Sequence, residues 1–133
     1  MTFVQTMPDR PAIYLPVKGP SDYLQFGYDA SADITAPDGT VDPIIGATLT
    51  VRPSGELQLT ALSVDVSGAS TVISWWESGG VAGREYQLLL TFATAGQSVY
   101  TKLLGQLCDP AQRTVTLLPS PPSFGYGTAI TWP

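Results

Sequence analysis

The sequence predicts an all-β protein, an antiparallel sandwich or small barrel, and three observations carry that expectation. Apolar and polar side chains alternate with period two through most of the middle of the chain, as half-buried strands require. Turn residues recur roughly every eight to twelve positions between those runs. Gly and Pro, at 13 and 12, together fill 25 of 133 positions, which rules against a helical bundle because both interrupt helices. No stretch sustains helical periodicity for the roughly ten to twelve residues a helix needs.

Taken in order, the first twenty residues carry Pro8, Pro11, Pro16 and Pro20, too closely spaced for a helix or a central strand, around the apolar Ile13, Tyr14, Leu15 and Val17. They read as an extended arm, residues 1–20, lying on its own domain or on a neighbouring subunit. Leu24, Phe26 and Tyr28 alternate with Gln25 and Gly27, predicting a first strand over 22–28. Ala47, Leu49 and Val51 repeat the pattern until Pro53 stops it. Leu57 and Leu59 read as a short edge strand, and Leu62, Val64 and Val66 as the next. Thr71 to Trp76 is dense in the β-branched and aromatic residues that strands favour. A glycine-rich turn over 78–83 leads into 84–94, where Tyr86, Leu88, Leu90 and Phe92 share one face and Leu89 breaks the alternation. A turn at 95–97 precedes a last core strand over 98–107, and Thr114 to Leu118 reads as a further short strand. Residues 21–118 thus form the sandwich domain, and 119–133 a second Pro-rich arm in which Pro119, Pro121, Pro122 and Pro133 frame Phe124, Tyr126, Ile130 and Trp132. Disordered tails are polar, so that aromatic density predicts docking.

Composition excludes several functions. Charged residues are 13% and hydrophobic ones 44% of the chain, so the chain folds rather than remaining disordered. Six basic against eleven acidic residues give a net charge of −5 without a basic cluster, which disfavours nucleic acid as a partner. The absence of His excludes a Ser-His-Asp or Cys-His triad. One cysteine, Cys108, forbids an internal disulfide and reads as a buried thiol. No basic stretch followed by an apolar run opens the chain, and no segment approaches the length of a membrane span. The expectation is a soluble protein that is not an enzyme and needs no cofactor.

The segment Trp75-Trp76-Glu77-Ser78-Gly79-Gly80-Val81-Ala82-Gly83-Arg84-Glu85-Tyr86 resembles the hairpin of a group of small immunoglobulin-like proteins of tailed bacteriophages and prophages, described as fibre, tail or head-to-tail accessory proteins. The resemblance runs over about 22–107, and Arg84-Glu85 stand where that group places small or hydroxyl residues. It implies an immunoglobulin-like sandwich, a structural role in the virion after synthesis in the bacterial cytoplasm, and assembly with other virion proteins and with copies of itself. On this reading the arms carry the assembly interface, at Ile13, Tyr14, Leu15, Phe124, Tyr126, Ile130 and Trp132.

Other residue groups admit other chemistry. Trp75 and Trp76 are adjacent, so in a strand one faces the core and the other faces away. The outward ring either lies under an arm of the same chain, or plugs an interface, or stacks on a sugar. The alternative function is accordingly a carbohydrate-binding sandwich module whose platform is one Trp with Tyr86 or Tyr100. Asp29, Asp33, Asp38 and Asp42 fall close together but lack the spacing of a Ca²⁺ loop, and read as a solvated acidic segment. Glu77 and Glu85 flank the hairpin without the helper residues of a glycosidase. Gly125-Tyr126-Gly127-Thr128 lacks the strand-to-helix context of a phosphate loop and reads as a turn.

Overall fold

The computed structural model describes residues 13–68, 70–109 and 126–133. They form β1 (Ile13–Tyr14), β2 (Leu24–Asp29), α1 (Ser31–Ile34), β3 (Ile44–Arg52), β4 (Leu57–Ser67), β5 (Ser70–Gly79), β6 (Glu85–Thr94), β7 (Val99–Leu107) and β8 (Ile130–Trp132). Two sheets make a sandwich, one five-stranded in the order β1-β7-β6-β3-β8 and one three-stranded in the order β2-β5-β4. All pairings are antiparallel except that of β1 with β7, which is parallel.

The alternation seen in the sequence sets which side chains meet between the sheets. On β6 the side chains of Tyr86, Leu88, Leu90 and Phe92 are fully buried, while Leu89 sits half-buried on the outer face. Leu49 and Val51 of β3 lie opposite Leu90 and Leu88, and Leu104 of β7 flanks Leu88 from the other side. From the second sheet Phe26, Leu57, Leu62, Ile73 and Trp75 complete the same core. Burying so many large side chains, at about 25 cal/mol per Å², is what holds the two sheets together.

Three local features differ from the periodicity reading. The two short runs at 57–59 and 62–66 are one strand, β4. A bulge between Thr60 and Ser63, with Ala61 at φ 57°, flips the side-chain phase from odd to even positions. The single turn α1 is too short for its periodicity to show in a sequence, and it buries Ile34 under β5. Both proline-framed termini contribute strands: Ile13 and Tyr14 pair with Leu104 and Gly105, and Ile130 to Trp132 pair with Leu49 to Ala47. The strand expected over 114–118 and Phe124 lie outside the described residues.

Candidate functional site

Two surfaces and one buried cluster hold the residues singled out by the sequence. The first surface is the pair of outer strands of the five-stranded sheet, β1 and β8. Ile13 and Tyr14 are 43% and 52% exposed at one edge, whereas Leu15 turns into the core and donates its backbone N–H to Gly105 O at 2.8 Å. At the opposite edge Ile130 and Trp132 are half-buried and pack against the core. Tyr126 lies beneath the Arg52 guanidinium, 4.9 Å from the ring centroid. Gly127 continues the pairing beyond β8, its N–H donating to Val51 O at 2.9 Å and its carbonyl accepting from Thr50 Oγ1 at 2.6 Å. A Cβ there would sit 2.9 Å from Ser54 Cβ, so the close approach uses the glycine. The Gly-Tyr-Gly-Thr run is thus, in its described part, an extended lead-in to β8. Between β8 and the β3–β4 turn runs a groove of about 700 Å³, lined by Leu57, Leu59, Tyr126, Ala129 and Ile130 among others.

The second surface is the outer face of the three-stranded sheet. Trp75 is fully buried and Trp76 half-buried on the outside, as adjacency in a strand requires. The ring covering Trp76 is Tyr23, stacked with centroids 4.8 Å apart and planes 21° apart. The platform of Trp with Tyr86 or Tyr100 does not form. Tyr86 is fully buried, and Tyr100 belongs to the other sheet, stacked on Phe92 at 5.2 Å.

The buried cluster joins the N-terminal segment to the glycine-rich hairpin. Lys18 is fully buried, and its ammonium donates to Gly19 O at 2.6 Å and Gly79 O at 2.7 Å. Glu77 is also fully buried and accepts from Trp75 Nε1 at 2.8 Å through Oε2, while its Oε1 has no hydrogen-bond partner among the described residues. Desolvation raises its carboxyl to about 7, against the opposing pull of the Trp75 hydrogen bond and the Lys18 charge. Cys108 is buried beside the cluster, and burial raises its thiol. Glu56 closes the same end of the sandwich, accepting from Arg84 Nη1 at 2.9 Å and from Tyr86 Oη at 2.6 Å. Nothing in composition points to Lys18. In the sequence Glu77 stood out only with Glu85, as one of two carboxylates flanking the hairpin.

The remaining carboxylates are spread apart. Asp29 accepts from Ser31 N, Asp38 from Thr40 N, Asp33 from Tyr28 Oη and Lys102 Nζ, and Asp42 from Thr94 Oγ1 and Gly96 N. Each closes its own turn or tie. No group of three or more His, Cys, Asp or Glu among the described residues is placed to hold a metal. Glu77 and Glu85 stand on strands of different sheets. No helix among the described residues is long and apolar enough to cross a membrane.

No curated protein matches the chain. The model of the family described as podophage GP4 fiber-tail adaptor protein gp77 matches residues 18–104, from the buried Lys18 into β7, a span that takes in the Tyr23–Trp76 stack and the hairpin. With well over half of the 133 residues inside that match, the chain belongs to the podophage GP4 fiber-tail adaptor protein family, and is a structural protein of the phage tail and a component of the virion.

Proposed function

We propose that the protein joins tail and fibre proteins by strand addition at the two outer strands of its five-stranded sheet, with copies of itself among the neighbours. The observation that carries this reading is that both terminal segments form the edges of that sheet, β1 and β8. An edge strand presents unpaired backbone N–H and C=O groups to any chain that can lie beside it. Proteins that avoid such pairing shorten the edge strand or put Pro, charges or bulges on it. Ile13-Tyr14 and Ile130-Thr131-Trp132 carry no charge, whereas the edge strand β4 of the other sheet carries the Ala61 bulge. Leu15 anchors one segment in the core, and Ile130 and Trp132 anchor the other, so the edges are set before a partner arrives. The role asks for shape and backbone groups and needs no catalytic residue.

Deleting the termini would remove core side chains along with the edges, so exposed point substitutions make the cleaner test. Tyr14→Lys and Thr131→Lys each place a charge on an outer strand at an exposed position. Each is expected to weaken assembly with the purified tail and fibre proteins by about tenfold or more, with thermal unfolding shifted by no more than a few degrees. Size-exclusion chromatography with native mass spectrometry reads both the mixed complex and self-association. Assembly unchanged in both variants would overturn the edge reading.

A further inference from the structure

The outer face of the β2-β5-β4 sheet differs in charge from the rest of the protein. Its three strands, LQFGYD, LQLTALSVDVS and STVISWWESG, contain no Lys or Arg. The basic side chains of the described residues lie elsewhere and are engaged. Lys18 is buried, Arg84 pairs with Glu56, Lys102 with Asp33, and Arg52 binds Gln87 and covers Tyr126. The face itself presents Asp29 and Asp65, both exposed.

Two features sit side by side on it. One is the Tyr23–Trp76 stack, with Tyr23 59% exposed. The other is a dent of about 320 Å³ over Gly27, lined by Gln25, Gly27, Asp65, Val72 and Ser74 with the edge of Phe26. It exists because residue 27 has no side chain: a Cβ there would lie 3.1 Å from Val72 Cγ1. Ser74 donates to Asp65 Oδ2 at 3.1 Å and contacts Ser63 Oγ at 3.0 Å, which holds the carboxylate at the rim. Gln25 lies opposite Trp76 and Gly27 opposite Ser74, so stack and dent are two residues apart along the strands, about 7 Å.

We propose that this face docks a basic extended segment of a partner protein, one guanidinium lying on the Tyr23 ring and another, two residues along, entering the dent toward Asp65. Alternate side chains of an extended chain share the roughly 7 Å spacing of the two features. A guanidinium stacks on aromatic faces and offers five donors and no acceptor. The dent offers the complement, a carboxylate whose neighbouring serine hydroxyl already donates to it. A sugar fits less well, because Tyr23 covers Trp76 and leaves one ring as platform. This surface is separate from the edges of the five-stranded sheet, so either reading can fail alone.

The probe is the peptide Arg-Thr-Arg-Thr-Arg, titrated calorimetrically into the full chain at low and at physiological salt. Saturable binding is expected, weakened by roughly fivefold or more in Tyr23→Ala and in Asp65→Asn. Both residues are exposed, so thermal unfolding should hold. Asp38→Asn, in an exposed turn outside both the stack and the lining of the dent, should leave the affinity unchanged. Equal weakening by Asp38→Asn would reduce the effect to diffuse attraction by the −5 charge and overturn the proposal. Failure of the peptide to bind would overturn it too, as would a neutral oligosaccharide competing for Tyr23 while Asp65→Asn has no effect.

Discussion

Alanine at Gly79 is expected to lower the unfolding free energy by about 3 kcal/mol and the midpoint of thermal unfolding by about 10 °C. Gly79 ends β5 with φ at +76°, a region L side chains rarely adopt. A Cβ added there would lie 2.7 Å from Glu56 O, a backbone atom that cannot rotate away. The same carbonyl accepts from Gly80 N at 3.1 Å, so moving it breaks the hydrogen bond joining the β3–β4 turn to the hairpin. Gly79 O is in turn an acceptor for the buried Lys18 ammonium. Strain at this position is therefore shared by three segments. Gly55 supplies the comparison, since it has φ +88° with open space around its Cβ position. Gly55→Ala should cost only about 1 kcal/mol, the conformational part alone. Urea unfolding of the two variants separates the contributions, and equal losses would show that the contact with Glu56 O is relieved at no cost.

The hairpin also marks how far local sequence carries the fold. Strands β2, β3 and β6 could be read directly because burial of one face writes period two into the residues, whereas β5, with Ile73, Ser74 and Trp75 buried in succession, showed through its β-branched and aromatic density. The same rule exposes its limit at β4. A change of phase between Leu59 and Leu62 signals either a turn or a bulge, and only pairing with β5 on both sides of Ala61 decides for the bulge. Strands β1 and β8 escaped for a different reason. Two or three residues cannot display a period, and the prolines around them argue against a central strand without excluding an edge. Their pairing with β7 and β3 spans about ninety and eighty positions of sequence, which no window detects.

The candidate surfaces follow the same division. Adjacency of Trp75 and Trp76 sufficed to place one ring inside and one outside. What covers the outer ring depends on the register of β2 against β5, which brings residue 23 beside Trp76. Tyr86 looked available for a platform because alternation gives a face but not its side of the sheet. The structure turns that face inward, and desolvation together with the Glu56 hydrogen bond holds the Tyr86 phenol well above its ordinary value. Of the arm residues, Ile13 and Tyr14 lie exposed, Leu15 is core, and Tyr126, Ile130 and Trp132 are partly covered by their own domain. An apolar residue in a proline-framed segment reports that it will be buried, without reporting by which partner.

Glu77 should make the protein less stable at neutral than at mildly acidic pH, by about 3 kcal/mol between pH 4.5 and pH 8. Its carboxyl titrates near 7 in the folded chain against an ordinary value of 4.5, because burial between the sheets penalises the charged form more than Trp75 and Lys18 favour it. Below pH 4.5 the group is neutral in both states and exacts no penalty. Between 4.5 and 7 the unfolded chain has released the proton that the folded chain still holds, so raising the pH favours unfolding. Above 7 both states are ionised and the loss is complete. Glu77→Gln keeps an oxygen for Trp75 Nε1 and cannot ionise, so its stability should change far less over that window. Lys18→Met should act in the opposite sense, removing the positive charge that steadies the carboxylate and carrying the fall in stability to higher pH. Urea unfolding of the three proteins at pH 5, 6, 7 and 8 tests this. A wild-type slope that persists in Glu77→Gln would assign the titration to another group and leave Lys18 a purely hydrogen-bonding link between the N-terminal segment and Gly79.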